Sequence, residues 1–281
     1  EMQMTCTGAE NIFPIAIDGT FDDAQRTVKD LFADLHFRTS VNLSAVNSIN
    51  LARILAQSVY YLYSWLNLPV QQREETAFVV PTGNFGNVFA GWLLTKMGIS
   101  ISEFRVATNQ NDVLHRLFKS GQYSLDKVMP SLAPSMDIQV ASNFERLLYY
   151  FLDCNTSRVV EVMSKFREQG KYSFDEFSIK GFSSVSAQDS EIPELIKLVK
   201  DRFGYLVDPH TACAFKDLDP KKQAVILATA HPAKFPAVYE SADMEIPVSP
   251  TLEKLKNVEP KFYDVPVDSS SIRSFILDTI S

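Results

Sequence analysis

Between residues 77 and 121 the chain switches twice between a short apolar run and a longer helical pattern, and that switching leaves few folds open. AFVVP (77 to 81) is strand-like, NVFAGWLLTKMG (87 to 98) reads as a helix stopped by Gly98, and ISEFRVATN (101 to 109) is strand-like again. NDVLHRLFKSG (111 to 121) then reads as a second helix. Strands separated by single helices join one sheet in parallel, through crossovers. Open parallel sheets bind ligands at the carboxyl ends of their strands, where the linking stretch PTGNFGN (81 to 87) would lie. Two glycines and two asparagines at a strand-to-helix junction allow two readings. One is a sharp turn that uses Gly and Asn for geometry alone. The other is an anion cradle, in which bare backbone and the positive end of a helix face a negative group.

The rest of the chain adds less regular pieces. NIFPIAIDG (11 to 19) reads as a short strand, FDDAQRTVKDLFADLHF (21 to 37) as a helix, and NSINLARILAQSVYYLYSWL (47 to 66) as another. Ile54 to Gln72 carries no charge, but Asn67 and Pro69 interrupt its end, so a core helix rather than a membrane span is expected. From about 142 to 203 the pattern turns helical, and AVILATAHP (224 to 232) restores an apolar strand ending in a polar turn. A short helix is expected near SIRSFILDTI. With 281 residues, 46% hydrophobic and a formal charge of −7, the composition is that of a globular acidic protein, which excludes a nucleic-acid footprint. Cys6, Cys154 and Cys213 are odd in number and widely spaced, so neither a disulfide framework nor a zinc site follows and a reducing compartment is the simpler reading. EMQMTCTGAE has no basic segment followed by an apolar core, so no secretory signal is expected there.

Three polar clusters could carry chemistry. Thr229, His231 and Lys234 stand at the end of the 224 strand and would meet PTGNFGN if that strand and the one at 77 share a sheet. Taken singly, His231 reads as a turn residue before Pro232. In DPHTA (208 to 212), Asp208 suits a helix cap and Pro209 the first turn. NSINLAR (47 to 53) places Asn47, Ser48, Asn50 and Arg53 at a helix start, where they read as a cap. Arg53 on a nearly uncharged helix nevertheless calls for an anionic partner.

In this order, NSINLARILAQ, VVPTGNFGNVFAG, MDIQVASNFERLL, DPHTA and TAHPAKFP closely resemble the threonine synthases, most nearly their longer fungal and bacterial branch. The resemblance runs from near the start to about residue 240. It implies an α/β fold of pyridoxal-phosphate fold type II, similar to the tryptophan synthase β chain, with a parallel sheet, flanking helices and an added helical segment. The expected organisation is 1–141 as the core of the cofactor-binding domain, 142–205 as a helical insertion, 206–243 as a return to that domain with the cofactor-site turn, and 244–281 as an unassigned tail. The resemblance further implies that Gly83, Asn84, Phe85, Gly86 and Asn87 hold the phosphate of pyridoxal 5′-phosphate, and that Thr229 meets its pyridine nitrogen. Asn50 and Arg53 are the candidates for the substrate phosphate.

The family commonly has Asp at the position of Asn87 and Trp at that of Leu51; the first change leaves a neutral amide beside the phosphate, and the second affects packing. The family's Schiff-base lysine lies ahead of the block that matches Glu1 onward, so it is expected in an N-terminal portion of the same protein. AFKDLDPKKQ imitates that motif around Lys216, but it follows DPHTA, where the family has an ordinary helix. The implied activity is the conversion of O-phospho-L-homoserine and water to L-threonine and phosphate, in the cytoplasm, with no membrane or nucleic-acid partner. The alternatives are a non-catalytic relative that binds the cofactor or a phosphorylated metabolite, and an interaction protein.

Overall fold

The computed structural model describes residues 2–19, 21–46 and 50–280, so Asn47 and Ser48 lie outside the described residues. Its strands are β1 (Ile15–Ala16), β2 (Ala77–Pro81), β3 (Glu103–Thr108), β4 (Gln122–Ser124), β5 (Lys171–Ser173), β6 (Phe182–Ser186), β7 (Ala224–Ile226) and β8 (Tyr263–Asp264). The chain divides into two compact units, one of Glu1–Ala45 with Val248–Ser281 and one of Val46–Pro247.

In the first unit, β1 pairs in parallel with β8, Ile15 opposite Tyr263. The Tyr263 ring lies between Phe13 (6.0 Å) and Phe275 (5.1 Å). Asp34 caps the helix Leu35–Ser40 and also meets Arg273 at 2.7 Å, on the helix Ser269–Ile280. This division differs from the expected boundaries, which put 1–141 in one core. The physical reason is that a two-residue strand has no hydrogen-bond partner among its near neighbours and finds one 248 residues later, in the segment expected to be a tail.

The second unit is built on a four-stranded sheet of order β6–β3–β2–β7, parallel throughout. The pattern at 77 to 121 therefore forms as expected, with helices Gly86–Lys96 and Val113–Ser120 between and after its strands. Phe78, Val80, Phe104 and Val106 fill the core beneath these helices. Residues 142–205 are not wholly helical: helices Phe144–Phe151, Thr156–Gln169 and Ile192–Phe203 form, but β5 and β6 lie between them. The β6 sequence FSSVS has too little apolar character to announce a strand and is one only because β3 offers a parallel edge from Phe104 to Thr108.

The helix Leu51–Asn67 is half buried, which corrects the expectation of a core helix. Ile54 and Tyr61 are fully buried, whereas Leu51, Leu55, Val59 and Tyr63 form an exposed stripe at four-residue spacing. The absence of charge beyond Arg53 is therefore not explained by burial within the unit. The buried side crosses the helix Gly86–Lys96 at Gly91, where an added Cβ would lie 2.4 Å from the Tyr61 ring. No helix among the described residues is long and apolar enough to cross a membrane.

Candidate functional site

The register of β2 with β7 sets Ala77 opposite Ala224 and Val79 opposite Ile226, and the Leu227 N–H continues the ladder to the Val79 carbonyl at 3.0 Å. Both strands run the same way, so PTGNFGN and the stretch from Thr229 leave the sheet side by side at its carboxyl edge.

The loop exposes backbone. Thr82 N–H still bonds the Ala107 carbonyl (2.7 Å), and Phe89 N–H begins the helical series to Phe85 (3.0 Å). Between them, the N–H groups of residues 83 to 88 donate to no acceptor among the described residues. A helix start leaves its first donors free in any protein, but Gly83 and Asn84 extend the free series into the turn. The left-handed residue is Phe85 (φ +66°), not a glycine. Such a conformation costs about 1–2 kcal/mol, and packing offsets it: the Phe85 ring is buried against Phe144 at 5.9 Å and Phe118 and Phe182 at 6.3 Å each. Phe85 thus offers a ligand only its main chain.

The glycines serve close approach. A Cβ on Gly83 would lie 2.9 Å from the Ser135 carbonyl oxygen, and one on Gly86 3.3 Å from Asn143 Nδ2. Asn143 also donates its N–H (3.0 Å) and side-chain amide (3.2 Å) to the Asn84 carbonyl, and Ser142 donates to Asn84 Oδ1 (3.2 Å). Asn87 is pinned from below by the Tyr61 hydroxyl, which reaches its carbonyl (2.9 Å) and Oδ1 (3.0 Å). Burial pushes the Tyr61 phenol up, so it stays a donor. The loop is therefore a rigid cradle of amide donors, and its chemistry fits a phosphate group.

Thr229 is exposed beside it. Its N–H donates to Thr211 Oγ1 (3.1 Å), and the two hydroxyl oxygens are 3.4 Å apart. DPHTA does form a cap, but it does more. Asp208, 1% exposed, accepts from the N–H (3.0 Å) and Nδ1 (2.8 Å) of His210 and from the Thr211 hydroxyl. Burial raises the Asp208 carboxyl, but the bonds from His210 and Thr211 outweigh it and hold it below the usual carboxylate range. A hydroxyl at Thr229, in place of a carboxylate, suits the nitrogen of a neutral heteroaromatic ring. His231 takes its expected turn role, its Nδ1 accepting from Ala233 N–H (3.1 Å) before an exposed Lys234.

Asn50 caps the helix Leu51–Asn67 through Ala52 N–H (2.9 Å), and the exposed Arg53 donates to the Val46 carbonyl (3.0 Å). Gln57, one turn on from Arg53, brings Oε1 to 3.8 Å from the place of a Gly86 Cβ, so that face of the helix passes the loop. Lys216 is paired with Glu191, a bond that raises its pKa above the usual lysine value and keeps the amine charged. The residues that sequence reasoning missed, Tyr61, Ser135, Ser142 and Asn143, come from two distant stretches, the helix Leu51–Asn67 and residues 135–143; only the polar SN inside MDIQVASNFERLL gave any signal.

Residues 209–276 match the family model described as "Threonine synthase, C-terminal". The chain is 42% identical to the threonine synthase of Pseudomonas aeruginosa over 98% of its own length and 61% of that protein. It also superposes on the crystal structure of pyridoxal-phosphate-bound threonine synthase from Brucella melitensis (TM-score 0.87, 36% identity, 99% of this chain and 62% of that one). The yeast threonine synthase crystal structure gives 0.84 and 34%, covering 100% and 62%. The chain spans about three fifths of the length of these relatives.

Proposed function

We propose that this chain is part of a threonine synthase of fold-type-II architecture, and that the full-length protein converts O-phospho-L-homoserine and water to L-threonine and phosphate. In this reading the chain supplies the phosphate loop and the pyridine-nitrogen partner of pyridoxal 5′-phosphate. The observation that carries it is the β2–β7 register, which brings to one edge of the sheet Thr229 and six amide donors without an acceptor among the described residues. When bound, the cofactor supplies an electron sink for charge that develops at the carbon bearing the substrate amine.

The residues of the chain do the rest by position. N–H groups of 83 to 88 would hold the cofactor phosphate, at the positive end of the helix Gly86–Lys96. Thr229 Oγ1 would hydrogen-bond the ring nitrogen as a donor, without forcing that nitrogen to hold a charge. Asn50 and Arg53 are assigned to the substrate phosphate, Arg53 because its exposed guanidinium donates to the exposed Val46 carbonyl, a bond that can be exchanged for one to a dianion at little cost. A cytoplasmic location accompanies this reading, since Cys6, Cys154 and Cys213 are all free thiols.

The test is phosphate release from O-phospho-L-homoserine by the purified full-length protein reconstituted with pyridoxal phosphate. Turnover is expected, with Arg53→Ala raising KM for the phosphorylated substrate. Absence of phosphate release from a protein that binds the cofactor would overturn the assignment.

A further inference from the structure

We propose that Asp208 is a positioning residue that couples the two ends of the cofactor site, fixing the phosphate loop through one carboxylate oxygen and the direction of the Thr229 proton through the other. The inference rests on the reading of the site as a pyridoxal-phosphate site and goes beyond it, because Asp208 itself faces no ligand.

The first arm runs through His210. Asp208 Oδ1 accepts from His210 Nδ1 at 2.8 Å, so that nitrogen carries the proton, and His210 Nε2 is left to accept the Ser135 N–H at 3.1 Å. The carboxylate thus selects the tautomer that can hold the 134–136 turn. That turn is what Gly83 touches: the Ser135 carbonyl oxygen and Met136 Cα would lie 2.9 and 3.4 Å from a Cβ at position 83. The imidazole has little room to move, being 3% exposed with Phe235 edge-on at 4.8 Å.

The second arm runs through Thr211. Its single hydroxyl proton is committed to Asp208 Oδ2, so toward Thr229 its oxygen has only lone pairs, one of which takes the Thr229 N–H at 3.1 Å. Thr211 therefore cannot give Thr229 a proton; Thr229 is the donor of the hydroxyl pair, across a long 3.4 Å, and that proton is the one it can turn to a ring nitrogen. Capping of the short helix Pro209–Cys213 accounts for one of these bonds, the 3.0 Å bond from His210 N–H, and for none of the others. Three side chains at 1%, 3% and 2% exposure, with every donor directed, form a network rather than a turn.

Exchange of the carboxylate for a carboxamide separates the arms. In Asp208→Asn one oxygen becomes an NH2 donor, which must meet either the Thr211 oxygen or the His210 Nδ1–H; one arm then reverses. His210→Ala cuts only the loop arm, Thr211→Val only the hydroxyl arm, and Thr211→Ser keeps it.

The experiment uses the full-length protein and three readouts: affinity for pyridoxal phosphate, competition by inorganic phosphate, and the absorption maximum of the bound cofactor. A fourth, the ¹⁵N shifts of the His210 imidazole in cofactor-free protein, needs no ligand. The wild type should show the Nδ1–H tautomer, and Asp208→Asn should lose it. Asp208→Asn should weaken both cofactor and phosphate about 10- to 100-fold, the scale of hydrogen bonds to a charged group, and shift the absorption maximum. His210→Ala should weaken phosphate and leave the maximum in place; Thr211→Val should do the reverse, and Thr211→Ser should behave as wild type. If the wild type binds the cofactor and the His210 and Thr211 variants show the same pattern as each other, or no change, the coupling is wrong while the site stands. If the wild type binds no pyridoxal phosphate, the site reading fails first. Should Asp208→Asn not fold, the His210 and Thr211 pair decides alone.

Discussion

Replacement of Gly83 by alanine isolates what the loop requires. Neither Gly83 nor Gly86 has a positive φ, so alanine meets no conformational penalty there and the whole effect comes from the added methyl. That methyl would lie 2.9 Å from the Ser135 carbonyl oxygen, whereas ordinary contact begins near 3.4 Å, so about half an ångström must be found (3.4 − 2.9 = 0.5). The neighbour is main chain, and its N–H is tied to His210 Nε2, so the loop must yield instead. Overpacking of this kind costs about 1–3 kcal/mol. If the cost falls on the ligand-binding form of the loop, cofactor affinity drops about 5- to 150-fold, at about 1.4 kcal/mol per decade. Gly86→Ala should be milder, since its contact at 3.3 Å is the Asn143 side-chain amide, which can shift. Gly98→Ala is the control: open space surrounds it but φ is +95°, so it should lower the melting temperature and leave affinity alone. The assay is pyridoxal phosphate titration of the full-length variants beside thermal unfolding. Gly83→Ala with wild-type affinity and wild-type melting would refute the close-approach argument and, with it, the cradle.

Three further outcomes are expected. Gly91→Ala sets a methyl 2.4–2.7 Å from three atoms of a fully buried Tyr61 ring and should cost about 1–3 kcal/mol in chemical denaturation; an unchanged midpoint would mean that the two helices separate freely. Asp268 accepts from Ser270 and from the N–H and hydroxyl of Ser271 at the start of the helix Ser269–Ile280, and these bonds hold its carboxyl down at about 2. A depressed native value means that the contribution is complete above the unfolded value near 3.9 and is lost as pH falls through about 2. Asp268→Ala should therefore fray that helix at pH 7 by amide exchange, and the difference from wild type should vanish near pH 2; a difference that persists there would point to another cause. Borohydride treatment of the cofactor-loaded protein should leave Lys216 unlabelled by peptide mapping, because its amine is paired with Glu191, and stoichiometric labelling at Lys216 would contradict that pairing's role.

Local pattern determined the strands at 77 and 103, the helices between them and the parallel sheet, because burial on a pleated or helical surface imposes a period that a sequence must obey. At residues 83 to 87 local pattern left a plain turn and an anion cradle both open, and only the family resemblance gave that loop and Thr229 their expected roles. Pattern failed where a neighbour decides. FSSVS became a strand through the edge of β3, IA through a partner 248 positions away, and the helix at 51 to 67, with Arg53 its one charged residue, turned an apolar stripe outward although its composition suggested a core. The left-handed residue in the loop proved to be Phe85, not a glycine, because three aromatic rings from separate segments hold it there. The Asp208 network was legible only as a helix cap, since hydrogen-bond partners at positions 135 and 229 share no periodicity with it. Covalent order carries the propensity of each segment; the hydrogen bonds that converge on Asp208 exist only once folding has buried its carboxylate together with His210 and Thr211.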